Sequence, residues 1–343
     1  MSDKTIIILG IESSCDETSA AVLANGKILA NIVATQKVHE QYGGVVPELA
    51  SRAHQQNIVP VVDQAIKASK IGKREISAIS YTRGPGLMGS LLVGTSFAKA
   101  MALALDVPLI EVNHLQAHIH AHFIIEPDGS SNQPSFPFLC LTVSGGHTQI
   151  VRVNDYFDMK LLGQTIDDAA GEAFDKIAKT LNFPYPGGPL IDEYAKNGDA
   201  FKFSFTHPNV PGYDFSFSGL KTAFMYFIRD NIKTDPLFIE NNKADICASI
   251  QRTIVEILMQ KLKKAAIEQN INHIALAGGV SANSLLRKTI KKIGQELNWK
   301  IYIPKFEYCT DNAAMIAETG FLKFKHKDFS SQDLAPVARL KYI

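Results

Sequence analysis

The chain has 343 residues, of which 46% are hydrophobic and 20% charged, and its formal net charge is +1. This composition excludes a disordered or fibrous protein, and the length allows two domains with cores of their own. The four cysteines lie far apart without a CxxC pair, so neither a disulfide framework nor a structural zinc site is predicted. No uninterrupted apolar run approaches the ~18 residues of a membrane helix, so we expect a soluble, cytoplasmic protein with no membrane partner.

The first predicted element is a strand-turn-strand hairpin at residues 5–23, and the same pattern returns at 138–153. Each turn is rich in small and hydroxyl residues, whose exposed backbone N–H groups suit phosphate oxygens. In the first hairpin Glu12, Asp16 and Glu17 surround a Ser-Ser-Cys turn. These carboxylates either act through a cation, orient a nucleophile, or merely stabilise the turn.

The remaining elements alternate between strands and helices, which predicts an α/β layered fold. Helices are predicted at 47–68, 89–105, 167–181, 244–269, 281–296 and 311–325, and strands at 76–81, 108–112 and 273–276. Residues 126–137, rich in Pro, Gly, Ser and Asn, predict a linker. We therefore expect a first domain at 1–125 and a second at 138–325, with the tail 326–343 packing back onto the first.

The segment NHLQAHIHAH, residues 113–122, follows directly on a predicted strand. If it is helical, His114, His118 and His122 share one face and lie close enough to bind one cation. A histidine-rich surface helix is the alternative interpretation. Asp311, with Asn312, lies where another helix is predicted to start, so it is a candidate helix cap, and capping is compatible with supplying a carboxylate ligand. Two histidines and one carboxylate suit Fe(II) or Zn(II).

The second half of the chain contributes polar candidates for a nucleotide-like ligand. The turn of the second hairpin is a better candidate for a phosphate loop than the turn of the first, and it consists of Ser144, Gly145, Gly146, His147 and Thr148. Asn283 follows a strand that ends in Gly-Gly, where it can bond an adenine or a ribose. The other candidates for polar contacts, all in the stretch 167–195, are Asp175, Gly188 and Asp192.

Ten motifs place these candidates in a known order, among them GIESSCDETS, VNHxxxH, SGGHTQ, DDAAGEAFDK, YPGGPLID, GGVSAN and CTDNAAMIA. From about residue 6 to 320 the chain resembles the tRNA N6-adenosine threonylcarbamoyltransferase family of the bacterial TsaD type. The doubled hairpin also resembles the actin, hexokinase and Hsp70-like (ASKHA) architecture. That resemblance implies two related α/β domains with an interdomain nucleotide cleft.

The family resemblance implies transfer of a threonylcarbamoyl group from threonylcarbamoyl-adenylate to N6 of the adenosine 3′ of the anticodon, in tRNAs that read ANN codons, with release of AMP. It implies that His114, His118 and Asp311 bind one divalent metal, Fe(II) or else Zn(II). It implies adenylate contacts from Thr142, Val143, Ser144, Gly145, Gly146, Asp175, Gly188, Asp192 and Asn283. Glu12 or Asp16 is then the expected base for the attacking amine.

The implied partners are tRNA, a paralogous actin-like subunit of the TsaB type, a small P-loop ATPase of the TsaE type, and a TsaC-type synthase that supplies the adenylate. Lys288, Lys291 and Lys292 are candidates for contacts to tRNA phosphates, or are simply solvated. Two other functions stay open. An actin-like ATPase or sugar kinase would fit the fold, whereas a metalloprotease fits poorly because HExxH is absent.

Overall fold

The computed structural model describes residues 5–341. The described strands, in chain order, are β1 (Ile7–Glu12), β2 (Glu17–Ala24), β3 (Lys27–Thr35), β4 (Ala78–Gly84), β5 (Leu109–Asn113), β6 (Phe138–Val143), β7 (Thr148–Val153), β8 (Met159–Gln164), β9 (His273–Ala277) and β10 (Lys300–Tyr302). The described helices are α1 (Pro47–Ser69), α2 (Met88–Leu105), α3 (His114–His120), α4 (Ala170–Thr180), α5 (Gly188–Ala195), α6 (Ser218–Thr234), α7 (Phe238–Gln269), α8 (Ser284–Leu297) and α9 (Ala313–Lys325). Short 3-10 turns occur between them.

Each of two compact units contains one five-stranded sheet, and the two sheets share a topology. The first sheet has the order β3-β2-β1-β4-β5 and the second β10-β9-β6-β7-β8. Each sheet has an antiparallel part and a parallel part. Strand β1 pairs antiparallel with β2 on one side and parallel with β4 on the other, and β6 pairs in the same way with β7 and β9. The two predicted hairpins and the α/β class are therefore confirmed.

The unit boundaries differ from the sequence-based domains at Glu40–Gly44 and from Pro304 onward. Unit 1 comprises the chain to His39, Val45–Gln133 and the chain from Pro304 onward, and unit 2 comprises Glu40–Gly44 and Pro134–Ile303. The prediction had assigned residues up to 325 to the second domain. Helix α9 instead packs on β1, β2 and β4 of the first sheet, where it buries a nearly continuous apolar surface.

A glycine explains how closely α9 approaches that sheet. A Cβ placed on Gly10, in the middle of β1, would lie 2.6 Å from the carbonyl oxygen of Ala313 and 2.9 Å from the Cβ of Ala317. No side chain fits there, so the helix backbone lies directly on the strand. Strand β1 is buried on both faces: Leu9 and Ile11 pack in the cluster with α1 and α2, and Ile8 packs in the cluster with α9.

The C-terminal tail also lies against unit 1. The Ser330 Oγ accepts a hydrogen bond from the backbone N–H of Glu111 at 2.7 Å, and the Asn113 side chain donates to the carbonyl of Lys341 at 3.1 Å. These contacts connect the end of the chain to β5 and to the start of α3.

Helix α2 is long and apolar enough, by length and composition alone, to cross a membrane. Such a helix was not expected from the sequence. Core helices of soluble proteins pass the same test, and α2 packs Leu91, Ala98 and Ala102 into the protein interior. Its small residues at four-residue spacing, Ser90 and Gly94 included, are buried as helix packing requires.

Candidate metal centre and ligand-binding loop

The two histidines of the predicted metal site lie on one short helix, α3. Asn113 ends β5, and its Oδ1 accepts hydrogen bonds from the N–H groups of Leu115 and Gln116 at 2.9 and 3.3 Å, which caps the helix. His114 is therefore the first helical residue, and His118 lies one turn further on the same face. Their ring centroids are 4.8 Å apart.

Asp311 completes a cluster of three possible ligands. Its Oδ1 lies 3.3 Å from His114 Nε2 and 3.2 Å from His118 Nε2, and one ligand atom from each residue lies within 4.8 Å of the others. The interpretation that Asp311 caps α9 is wrong. Asn312 is the cap, since its Oδ1 accepts from the N–H of Met315 at 3.2 Å, and Asp311 is left to face the histidines.

The electrostatics of this ligand cluster, His114, His118 and Asp311, favour charged groups despite burial. Burial alone would raise the pKa of Asp311, but the charge and hydrogen bond of His114, together with His118, hold that pKa well below its usual range. Burial would lower the pKa of His114, but Asp311 and Glu12 raise it well above the ordinary value. Two imidazole nitrogens and a carboxylate oxygen with converging positions form a donor set that fits Fe(II) or Zn(II).

The third histidine of the predicted face does not join the cluster. Helix α3 ends at His120, and His122 lies in the following 3-10 turn, so the four-residue period stops before it. The neighbouring His120 also lies outside the cluster, and its Nδ1 lies 3.0 Å from the Thr319 hydroxyl of α9. Among the described residues, the group whose ligand atoms lie close enough to share a cation is His114, His118 and Asp311.

Glu12, the last residue of β1, lies behind His114 and is completely buried. Its Oε2 lies 3.0 Å from His114 Nδ1 and accepts from the Thr82 hydroxyl at 2.7 Å, while its Oε1 accepts from the Ser14 N–H at 2.5 Å. Burial would raise the pKa of Glu12, but the charge and hydrogen bond of His114 lower it. The carboxylate is thus ionised with both oxygens engaged. Sequence reasoning missed Thr82, which follows no spacing rule and meets Glu12 only because β1 and β4 are neighbours.

The turn of the first hairpin is packed rather than open, contrary to expectation. The Ser13 hydroxyl donates to the carbonyl of Ser90 at 3.0 Å, and a Cβ on Gly94 would lie 2.1 Å from that hydroxyl. Two residues that follow this turn have raised pKa values. Burial raises the pKa of the Cys15 thiol, and burial together with the charge of Asp311 raises the pKa of Glu17. Cys15 is therefore a poor nucleophile.

The turn of the second hairpin, residues 144–147, is the open one. Gly145 and Gly146 are exposed, and a Cβ on either would meet no atom within 4 Å. The carbonyl of Ser144 accepts from the N–H of Gly171 at 3.2 Å, which fixes the loop beside the start of α4. Thr142 and Val143, which precede this loop and were also predicted to contact the adenylate, are buried at the end of β6.

The four remaining predicted ligand contacts lie in unit 2 and already have protein partners. The Asp175 carboxylate accepts from the N–H groups of Gly187 and Gly188 at 2.8 and 3.3 Å, which ties α4 to the start of α5. The Asp192 carboxylate accepts from the Ser284 hydroxyl at 2.7 Å. Asn283 caps α8 through the N–H of Leu286 at 3.0 Å.

A second glycine brings Asn283 towards the second-hairpin loop. Gly278, with a φ of 84°, directly follows β9, and a Cβ there would lie 2.5 Å from the carbonyl oxygen of Val143. The segment that leads to Asn283 therefore starts against the end of β6. At the start of α6, the Nζ of Lys221 lies 2.7 Å from the Asp168 carboxylate, which Lys176 also contacts at 3.1 Å.

Comparison with known proteins identifies the family to which the chain is similar. A family model described as TsaD, tRNA N6-adenosine threonylcarbamoyltransferase, matches residues 27–318. Curated proteins of that name are 63% identical in Christiangramia forsetii, over the full length of both chains, and 49% identical in Thermosipho africanus, over 98% of this chain.

Among solved structures, the protein in "Crystal structure of T.kodakarensis HypF" is similar with a TM-score of 0.62 at 18% identity, over 94% of this chain and 48% of that one. The chain spans about half the length of that structure, and the likeness bears on the fold, which is the two-domain ASKHA-like α/β fold. The match to the family model and the full-length relatives together show that this chain belongs to the tRNA N6-adenosine threonylcarbamoyltransferase family.

Proposed function

We propose that the chain transfers a threonylcarbamoyl group from threonylcarbamoyl-adenylate to N6 of the adenosine 3′ of the anticodon in tRNAs that read ANN codons, and releases AMP. One observation carries the proposal: His114, His118 and Asp311 converge within 4.8 Å in a chain similar over its whole length to curated transferases of this name. Neither a sugar kinase nor a protease accounts for both facts.

The open second-hairpin loop supports a role for unit 2 in holding the adenylate. In this proposal the backbone N–H groups of Gly145 and Gly146 face the phosphate, because nothing in the described chain fills the space beside them. Asp175, Gly188, Asp192 and Asn283 contribute polar contacts, and the hydrogen bonds among their elements keep these groups in place before a ligand binds. Thr142 and Val143 contribute by supporting the loop.

The ligand cluster of unit 1 would hold one divalent ion, with Fe(II) preferred and Zn(II) as the alternative. Such an ion supplies a Lewis acid that polarises a carbonyl oxygen. The residues themselves position it: His114 and His118 are held on a capped helix, and Asp311 is held at the start of α9. The burial of both histidines limits competing ligation by solvent.

The transfer forms a C–N bond and breaks the bond between the carbamoyl carbon and the adenylate oxygen. The adenosine N6 attacks, AMP leaves with the bonding electrons, and one proton departs from nitrogen. Of the two proposed bases, Asp16 suits the proton transfer better because it is partly exposed. Glu12 is fully buried with three donors on its two oxygens, which argues against a base role.

The proposed partners are tRNA, the TsaB-type paralogue, the TsaE-type ATPase and a TsaC-type synthase as the source of adenylate. With a formal net charge of +1 the chain has little overall attraction for RNA, so we expect the partner proteins to supply part of the tRNA-binding surface. Lys288, Lys291 and Lys292 lie exposed on α8, opposite its buried apolar side.

The decisive experiment is a mass-spectrometric nucleoside profile of tRNA after incubation with threonine, bicarbonate, ATP and the partner proteins. We expect threonylcarbamoyladenosine with the native chain and none when this chain is omitted. Phosphorylation of a sugar or cleavage of casein, with unmodified tRNA, would instead favour a kinase or a protease.

A further inference from the structure

In unit 1, the Glu12 carboxylate contacts the Nδ1 of His114 but not the Nδ1 of His118. His114 Nδ1 lies 3.0 Å from Glu12 Oε2 and 3.2 Å from the Ser14 hydroxyl. His118 Nδ1 is buried, and within residues 5–341 it has no hydrogen-bond partner. The two rings present Nε2 to the same Asp311 oxygen, so they differ only in what holds the opposite nitrogen.

The surroundings of Glu12 fix its position tightly. Oε1 accepts from the Ser14 N–H at 2.5 Å, and Oε2 accepts from the Thr82 hydroxyl at 2.7 Å, so the carboxylate plane cannot turn without losing a buried hydrogen bond. Ser14 belongs to the turn after β1, and Thr82 to the neighbouring β4. The adjacent positions of β1 and β4 in the sheet therefore fix Glu12 Oε2 beside His114 Nδ1.

A carboxylate bonded to the Nδ1–H of an imidazole fixes the tautomer that leaves Nε2 free to bind a cation, and makes that nitrogen more basic. We propose that Glu12 is a positioning residue: through His114 Nδ1 it holds His114 as the dominant metal ligand of the cluster, and it takes no proton from the substrate. This inference rests on the metal centre of the proposed function.

The test measures metal affinity alone, by competition for Zn(II) with a chromophoric chelator, on the full-length chain without tRNA or adenylate. Loss of such an outer partner typically weakens metal binding about 10–100-fold. We expect a loss in that range for Glu12→Gln, and a smaller loss for Thr82→Val, which frees the carboxylate but keeps its charge.

The matched control is Glu318→Gln, which changes another buried carboxylate of the same unit that lies outside the cluster. Its Zn(II) affinity should equal that of the parent. Circular dichroism and thermal unfolding establish that each variant is folded, and Thr82→Val provides the measurement if Glu12→Gln unfolds. Parental Zn(II) affinity in both site variants would overturn the proposal.

A second measurement separates positioning from base catalysis. Substitution with Co(II) gives an absorption spectrum that reports the ligand field, and Glu12→Gln should change it while Asp16→Asn leaves it unchanged. If Glu12 acts as the base, the variant keeps the parental spectrum and affinity and loses only the transfer rate. Failure of the proposed tRNA chemistry would leave these metal measurements unaffected, so the two ideas fail separately.

Discussion

At the scale of single residues, capping decides which groups are free for chemistry. Asn113 and Asn312 satisfy the first N–H groups of α3 and α9, and each is adjacent to a ligand that is thereby released from capping. His114 follows one cap and Asp311 precedes the other. The two helix starts then meet at the cluster because α9 lies on β1 at the distance that Gly10 allows.

The first residue-scale prediction concerns the ligands. His114→Gln, His118→Gln and Asp311→Asn should each weaken Zn(II) binding by more than the ~10–100-fold expected for losing an outer-sphere partner. Conservative replacements are needed because His118 is only 1% exposed, and alanine would leave a cavity. The measurement is chelator competition.

His122→Gln is the control for the ligand series, since it changes a nearby buried histidine outside the cluster. It should retain the affinity of the parent. Equal metal binding by all four variants would place the site elsewhere.

The second residue-scale prediction concerns the second-hairpin loop. Gly145→Val should weaken ATP binding about tenfold, equivalent to about 1.4 kcal/mol, because the side chain enters the open space beside the loop N–H groups. The protein's own packing should not change, since no atom lies within 4 Å of the new Cβ. Calorimetry on folded protein measures the affinity.

Gly219→Val in α6 is the matched control, because its Cβ also meets nothing within 4 Å. It should bind ATP as the parent does. If the Gly145 variant bound ATP as tightly as this control, the loop would not be part of the nucleotide site.

The residues of the site were predictable to different degrees. The four-residue spacing of His114 and His118 is local, so sequence alone indicated a shared helix face. The contact of Thr82 with Glu12 was not predictable, because it joins residues 70 positions apart across two parallel strands. Asp311 was indicated by the sequence as a carboxylate at a predicted helix start, and only the structure shows that Asn312 takes over the capping role.

At the scale of elements, most of the long helices were predicted, but the 17-residue α6 and several short elements were not. Helices α1, α7 and α9 overlap the predicted ranges 47–68, 244–269 and 311–325 over most of their lengths. Helix α5, with eight residues, and strand β10, with three, lack enough residues to show a period. The sheet that α9 covers was also unpredictable, because an apolar helix face does not identify its partner.

Helix α9 also provides a prediction for pH. Glu318 is buried and its Oε2 has no hydrogen-bond partner within the described chain, so burial raises its pKa well above 4.5 although Lys325 opposes the shift. The folded state keeps a proton that the unfolded state releases. Stability should therefore fall as pH rises from the unfolded pKa toward the folded one, with a slope of about 1.4 kcal/mol per pH unit.

Glu318→Gln removes this dependence. Its free energy of unfolding should exceed that of the parent at pH 8 and approach it near pH 4, where both side chains are neutral. Urea unfolding at the two pH values measures the difference. A difference between variant and parent that does not change with pH would show that Glu318 is ionised in the folded protein.

At the scale of the whole molecule, one sheet topology occurs twice and has separate uses. In unit 1 the first hairpin turn is packed against α2, and Glu12 and Ser14 contact His114 of the candidate metal site. In unit 2 the equivalent turn is open. The duplication was visible in the sequence because the strands of both hairpins have the same alternation of apolar residues. The packing of the first turn could not be predicted, because it depends on Gly94, which lies far along the chain.

The distribution of charge over this molecule leads to the last prediction. Lys288, Lys291 and Lys292 are exposed on α8, and the ion pair of Lys292 with Glu296, at 3.9 Å, is too exposed to neutralise them. Replacing all three by Glu should weaken tRNA binding and lower the dependence of log affinity on log salt, by about 0.7–0.9 for each phosphate that the variant no longer neutralises. Filter binding over a range of salt concentrations, with and without the partner proteins, measures both quantities.

The control reverses an equal number of exposed charges in unit 1, at Lys70, Lys73 and Arg74, and changes the net charge by the same amount. A general effect of charge on RNA affinity would appear in both variants to the same extent, because it depends on net charge alone. A specific tRNA path along α8 requires that only the α8 variant loses salt dependence while its Zn(II) affinity stays parental. An unchanged salt slope in that variant would move the path to another surface of this chain or to the partner proteins.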